Sequence, residues 1–487
     1  MQSAVARLVP AALVLAGLAY FAREGELISA TVGETALVVA ALLVLLHLAL
    51  TVDAAWLLSA GILSTMFAGN WGSLGLDLSV GPHRALLAVG ILAVLLRAPP
   101  VRDRPSLHLD HVHFVMAAAV AFALMSAFVA GTLEGEKAQF VLLDQFGVLP
   151  FVLFAIAPIA FHTQRQRMIL LGALVATGAY LSVSALLEKL ELYDLLVPSY
   201  IGDPAVGAHF GRARGPFAES AAMGLALYAC AIAAAIAVVV WKRPRARLFA
   251  AAVLVAAPIG ALLTVTRAVW LAATVATALA FVTTPALRRF VLPVTAASVV
   301  GVLVAFTLIP GLAGDAERRQ NDRTPVYDRQ NTNAAGLRMV ADKPFLGVGW
   351  DRPNAELEPY FRQSEDRPLT GGVAGLHNIY LYYAAGLGLI GFGLWLAALV
   401  LAFSRGLGPG GSARLTTWKI GLKAIAGAWL IVGVTSPAHY PFTTYIVWAW
   451  AGIAAGLPAV AAAARQAPRG ATTWSLSQGK PRRWSLG

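Results

Sequence analysis

Three short stretches of the chain set cationic or titratable side chains at the edges of apolar runs. In GLHNIYLYYAAGLGLIGF, residues 375–392, His377 and Asn378 stand at the mouth of a long apolar segment. In LLTVTRAVWLA, residues 262–272, Arg267 sits between two apolar runs joined by almost no loop. In GAHFGRARGPFAES, residues 207–220, Arg212 and Arg214 precede a further run and Glu219 lies within its first turn. An arginine held at membrane depth is costly unless it faces a polar cavity or an anion. Guanidiniums cannot lose their protons, so two or three of them make a fixed site for a phosphate or diphosphate. A histidine adds the one side chain able to take or give a proton near neutral pH. Together these residue types suit transfer chemistry on a lipid diphosphate.

The elements that would position them are membrane helices. With 58% hydrophobic and 13% charged residues, and a mean hydropathy of +0.71, the composition lies far outside that of soluble globular chains. Windows long enough to cross roughly 30 Å of hydrocarbon fall near 5–22, 35–51, 54–70, 83–98, 113–131, 146–161, 168–187, 217–241, 248–265, 268–285, 291–310, 379–403, 417–436 and 441–463. The expected fold is therefore an all-α polytopic bundle of about 14 transmembrane helices with one large extracytoplasmic loop. The first three spans are the least secure, because 51–53 is very short and His47 interrupts the second; a re-entrant pair would keep the parity. The first span follows Arg7 and leads straight into further spans, so it reads as a retained helix and not a signal peptide.

Alternate loops carry Arg97, Arg102 and Arg104; Arg165 and Arg167; Lys242, Arg243, Arg245 and Arg247; Arg288 and Arg289; Arg405 and Arg414; and a basic tail. The positive-inside rule makes this set cytoplasmic, with both termini. The +12 formal charge is then mostly topology, and nucleic acid is not implied as a partner. In the opposite set, segment 311–377 holds nine Lys/Arg and ten Asp/Glu, which nearly cancel. The sole cysteine, Cys230, can form neither an internal disulfide nor a cysteine-based metal site. The organisation expected is a bundle over 1–310, a loop or cap over 311–377, further helices over 378–463, and a tail over 464–487 that touches anionic lipid.

The stretch GLHNIYLYYAAGLGLIGF resembles the His-Asn-x-x-Leu, then Gly-x-x-Gly, helix opening of the O-antigen ligase and polymerase superfamily. MVADKPFLGVGW, residues 339–350, is similar to the family's Pro-(Phe/Leu)-Leu-Gly-x-Gly turn; LLTVTRAVWLA and GRARGPFAES resemble its arginine-bearing corners. The likeness spans roughly 200–400. It implies a GT-C-like fold and metal-independent glycosyl transfer at the periplasmic face of a bacterial inner membrane, with no cofactor. A glycan would pass from a polyprenyl (undecaprenyl) diphosphate to an acceptor glycan or glycolipid. Arg267 and one of Arg212 or Arg214 would hold the diphosphate, His377 would orient or deprotonate the acceptor hydroxyl, and Asn378 would position it or cap the helix. Many members carry a glutamate about nine residues after the histidine, where this chain has Gly386. Glu219 stands where related chains often have asparagine and could supply a carboxylate from another helix.

Each assignment has a structural rival. His377 could anchor a helix at the interface beside Tyr380, Tyr382 and Tyr383; Arg267 could snorkel; one arginine of the 212–214 pair could be a solvated loop charge. Arg338, followed by ten residues and Gly349, matches a spacing of polysaccharide polymerases in the superfamily and could line the acceptor cleft. His439 and Tyr440, after Ser436-Pro437, could line the same cavity or mark a proline-terminated junction. HLDHVH, residues 108–113, has metal-ligand spacing but reads better as a polar helix start. Short helices around 332–342 and 354–363, with a Gly371-Gly372 hinge, would form the cap. A polymerase of surface polysaccharide is the close alternative. A lipid-linked glycan flippase is the alternative of another class, disfavoured because neither the Arg267 corner nor the His377 motif recurs.

Overall fold

A computed structural model describes residues 43–76, 80–96, 107, 109–321, 323–362, 375–408, 415–436 and 440–456. Among these residues all regular structure is helical. In chain order come α1 (Ala54–Phe67), α2 (Pro82–Leu96), α3 (His111–Val129), α4 (Lys137–Ala160), α5 (Gln164–Lys189), α6 (Ser220–Val240), α7 (Pro244–Leu263), α8 (Arg267–Val282) and α9 (Pro285–Leu308). They are followed by α10 (Leu312–Asn321), α11 (Thr324–Asp342), α12 (Ile379–Leu407), α13 (Thr416–Gly433) and α14 (Pro441–Ala455). Among the described residues seven helices, α3 to α7, α9 and α12, are long and apolar enough to cross a membrane; α1, α2 and α8 are shorter apolar helices. The expected span at 5–22, and residues 35–42 of that at 35–51, lie outside the described residues, as does the basic tail.

Helix starts are set by side chains that serve the free N–H groups of the first turn. Asp53 accepts from Ala55 N at 2.9 Å. Thr163 and Gln166 close a capping box at α5, and Asp110 and His113 close one at α3. The bundle closes around α6, whose most apolar window is 72% buried, against 6% for α9 at the periphery. The α6 sequence, SAAMGLALYACAIAAAIAVVV, is rich in small residues, which lets α5, α7 and α13 approach its backbone. The fit is tight: a Cβ on Gly178 of α5 would stand 2.8 Å from Cys230 Cβ, and one on Gly224 would stand 3.0 Å from Val269.

Two elements differ from the hydropathy reading. The span expected from 146 begins at Lys137, running through a π-helical turn, Val141–Phe146, that buries Asp144. The carboxylate is tolerated because Arg84 Nη2 meets it at 2.6 Å and the Tyr445 hydroxyl donates to it at 2.7 Å. In the 311–377 segment, α11 starts at Thr324, eight residues before the helix expected there, and 354–363 supplies only a 3₁₀ turn, Glu358–Tyr360. A proline in the first turn of α11 suits a helix start, because its missing N–H would have been unpaired anyway. The Gly371-Gly372 hinge lies outside the described residues.

Candidate functional site

Asn378 caps α12, its Oδ1 accepting from Tyr380 N at 3.1 Å and Leu381 N at 3.2 Å. That cap holds His377 just outside the first turn. The ring Nδ1 lies 2.7 Å from Gly375 O. A carbonyl only accepts, so Nδ1 carries the proton in the neutral ring and the lone pair falls on Nε2. Burial lowers the His377 pKa below 6.5. The Gly375 bond opposes this, Arg329 adds to it, and the carboxylates of Asp328 and Glu219 oppose it again. Near pH 7 the residue is a neutral imidazole with its basic nitrogen free of the Gly375 bond. Tyr380, Tyr382 and Tyr383 do not form an interfacial belt. Tyr380 donates to Leu430 O at 2.7 Å, Tyr382 to Asp351 at 2.7 Å, and Tyr383 packs among Phe146, Trp350 and Trp395.

The segment between α5 and α6 is bent by left-handed residues: Gly207, His209, Gly211, Gly215 and Ala218 all have positive φ. Glu188, in the last turn of α5, fixes the bend by accepting from Arg214 N at 3.0 Å and Gly215 N at 2.9 Å. The Arg214 side chain, 1% exposed, turns into the loop. It donates to the carbonyls of Val206, Ile201 (3.1 Å) and Asp203 (2.5 Å), and its guanidinium lies over the Phe210 ring. Those donors are committed to the backbone. Arg212, two residues earlier, is only half-buried, and its backbone N–H donates to His209 O at 3.2 Å.

Glu219 caps α6 through Ala221 N at 3.3 Å and pairs with His209 Nδ1 at 3.3 Å. His209 Nδ1 is also 3.4 Å from Ser220 Oγ, which accepts from Thr266 Oγ1 at 3.3 Å. A backbone bond from Ala213 N to Leu263 O, 3.2 Å, joins the two arginine corners directly. At the second corner Val265 has φ 47°, a left-handed conformation that a β-branched residue adopts only under constraint. Its consequence is the abrupt start of α8 at Arg267, which is exposed and makes no hydrogen bond or ion pair among the described residues. Left-handed strain thus gathers around the Arg212, Glu219 and Arg267 corners.

Tyr440 precedes α14 and accepts from Ser436 Oγ at 3.1 Å. Burial, then the Glu219 carboxylate, push its phenol above the usual range; the Ser436 bond and Arg329 oppose them. His377, Arg212, Arg267, Glu219 and Tyr440 therefore lie at one end of the bundle, and Asp328 and Arg329 of α11 lie within electrostatic reach of His377. His439 lies outside the described residues. Arg338 is not gathered in: it is exposed and donates to Tyr360 O at 2.8 Å, two residues round the helix from Gly336, the position that packs on α12. In HLDHVH, Asp110 and His113 spend their side chains on the capping box, and Arg405 pairs with the second Asp110 oxygen.

The glycine motifs have a backbone purpose. Val348 N donates to Ala385 O and Gly349 N to Gly386 O, both at 2.9 Å, and Leu389 N donates to Pro344 O at 2.7 Å. These bonds lash the 344–349 turn across a break in α12 at Gly388, φ 65° and ψ 179°. A Cβ on Gly386 would meet Pro353 Cγ at 3.1 Å and Gly349 O at 3.3 Å, so a long side chain at that position does not fit this clamp as built. His209, Asp328 and Arg329 were not singled out from sequence. His209 carries the signal of a histidine between two glycines in an arginine-rich loop. The other two open the polar run Asp-Arg-Gln-Asn-Thr-Asn before Ala334.

Fold and site define a polytopic helical membrane protein with a charged cluster at one end of its bundle. Residues 250–396 match the O-antigen ligase family, Wzy_C, which supports the O-antigen ligase and polymerase superfamily. The match includes Arg267 and His377 and supports a membrane enzyme of the ligase or polymerase type. No curated protein matches the chain.

Proposed function

We propose that the protein transfers a glycan from a polyprenyl diphosphate to a saccharide acceptor at the extracytoplasmic face of a bacterial inner membrane, as an O-antigen ligase does. The observation that carries this reading is a neutral His377, its Nε2 free of the Gly375 bond, at the bundle end that also holds the uncommitted guanidinium of Arg267. Arg267 and Arg212 grip the diphosphate and offset the charge that grows on it. The acceptor hydroxyl oxygen attacks the anomeric carbon, the bond from that carbon to the diphosphate oxygen breaks, and its electron pair leaves with the polyprenyl diphosphate. The hydroxyl proton passes to His377 Nε2. Arg214 supports this arrangement as scaffold, Asn378 as a helix cap, and Tyr440 as a protonated hydrogen-bond donor. The 311–377 segment acts as the cap over the site, and both termini lie in the cytoplasm.

The test is in vitro transfer by the purified protein in nanodiscs, using polyprenyl-diphosphate glycan and acceptor lipid. His377→Ala is expected to keep the parental melting temperature and lose roughly 100-fold or more in transfer rate; near-parental transfer would remove His377 from the chemistry. Product analysis separates the two activities of the superfamily. Glycan on a glycolipid marks a ligase, and a lengthened glycan still on polyprenyl diphosphate marks a polymerase.

A further inference from the structure

The α11 helix carries a buried polar stripe that the transfer chemistry above does not use. Residues 328, 332 and 336 are spaced by four and share one face of the helix. Gly336 fixes where that face points: a Cβ there would stand 2.8 Å from both Leu376 and Leu381, which flank His377 along the chain. Thr332 and Asp328 lie one and two turns further along the same face, about 5.4 Å per turn. Thr332 is fully buried and its neighbour Asn331 is 3% exposed. The stripe thus changes from apolar, where it packs on α12, to polar as it passes beyond the start of α12.

Two oxygens of the helix, one on this face and one beside it, lack a hydrogen-bond partner. Asp328 Oδ1 and Asn333 Oδ1 are shielded from solvent and accept no hydrogen bond among the described residues. Buried acceptors are nearly always served, and folding gains nothing from leaving two unserved on one helix. Their chemistry limits what could serve them. Both are acceptors, so the ligand must bring donors. A diphosphate brings only acceptors and a charge that Asp328 repels, while Arg329 beside them disfavours a cation. Uncharged hydroxyl groups meet both conditions.

We infer that the polar part of α11, from Asp328 to Asn333, is a carbohydrate-binding surface, in which Asp328 and Asn333 accept hydrogen bonds from hydroxyls of the acceptor sugar. The inference rests on the glycan-transfer reading and adds the position of the acceptor. In-line attack requires the acceptor to approach opposite the leaving diphosphate. The α11 side supplies that approach, and the arginine corners hold the leaving group.

The experiment is steady-state transfer in nanodiscs by the parent, Asp328→Asn, Asn333→Ala and the double variant. Donor-lipid and acceptor-glycolipid fractions are extracted from the envelope of the protein's own cells. Each single variant is expected to raise the apparent KM for the acceptor fraction roughly 5- to 10-fold, with donor KM and kcat at saturating acceptor within about twofold. Melting temperatures should stay level or rise, because an unserved buried oxygen holds nothing together; a purely structural role would lower them. An unchanged acceptor KM, or a raised donor KM in its place, overturns the inference. If the parent transfers no glycan, the transfer reading fails by itself. Retention of the radiolabelled acceptor fraction then decides the surface: loss of label in the double variant sustains it, and equal retention overturns it.

Discussion

Arg212 and Arg214 stand two residues apart in one loop, with the same side chain and the same flanking glycines, yet they face different tasks. Arg214 is sealed in the loop and donates to three backbone carbonyls. Arg212 is half-buried beside His209, on the corner that Ala213 joins to the end of α7. The contrast recurs between the Arg267 corner and the 344–349 clamp. One leaves a cation uncommitted, and the other uses backbone bonds and the space left by missing side chains. The motif-like stretches therefore mix residues whose side chains are left uncommitted with residues that build the mount, and hydrogen-bond occupancy separates them.

The largest effect expected from that contrast is at the clamp. Gly347→Ala would place a methyl against the carbonyls of Ala385 and Gly386, at a residue with φ 69°. Strain and overpacking together should destabilise the fold by about 3–5 kcal/mol, read as a large fall in melting temperature. A parental melting temperature would mean that the clamp does not hold α12.

Next in size is the arginine pair. Arg214→Ala leaves three loop carbonyls without donors and should cost about 2–4 kcal/mol of stability. Arg212→Ala should leave the melting temperature within about 2 °C while weakening binding of polyprenyl diphosphate. If the two variants exchange these phenotypes, the assignment of mount and ligand residue is reversed.

The smallest effect concerns pH. With the folded pKa of His377 below 6.5, its neutral form persists in the folded state after the unfolded chain has begun to take up protons. Stability from this residue is therefore lost as pH falls through 6.5 towards the folded value, and the acid limb of kcat/KM should have its midpoint below pH 6.5. Arg329→Gln removes one lowering influence and should move the acid limb up. Glu219→Gln removes a raising influence and should move it down. Movement of the limb in the same direction for both variants would separate it from His377.

Much of the bundle was legible because twenty-residue apolar runs state their own length. From α1 to α13 each expected span coincides with a helix to within four residues at its start, except α4, which runs back past a buried ion pair at Asp144, and α9, which begins with a 3₁₀ turn before Val291. The α4 discrepancy has a clear cause: a hydropathy window rejects Asp144, because the charge that neutralises it comes from Arg84, sixty residues away. The candidate site was legible where one residue type stands out in its surroundings, as Arg267 does between two apolar runs. It was not legible where meaning depends on what a side chain touches: Arg212 and Arg214 are equivalent in sequence until Ile201, Asp203 and Val206 fold back on one of them. The polar stripe of α11 was hidden because its three turns read as ordinary loop composition until Gly336 shows which face is turned inward.

The central claim is that Arg267 meets the diphosphate, and donor binding in a His377→Ala background, which blocks turnover, tests it most directly. Affinity for polyprenyl-diphosphate glycan would be measured for Arg267 and for its Lys and Ala variants in the same detergent. Arg267→Lys keeps the charge and loses the fork, so partial affinity is expected. Arg267→Ala should lose about 1.5–3 kcal/mol, roughly a 10- to 150-fold weakening, as for one charge-assisted contact. Unchanged affinity in Arg267→Ala would contradict the account and leave this arginine as an interfacial anchor.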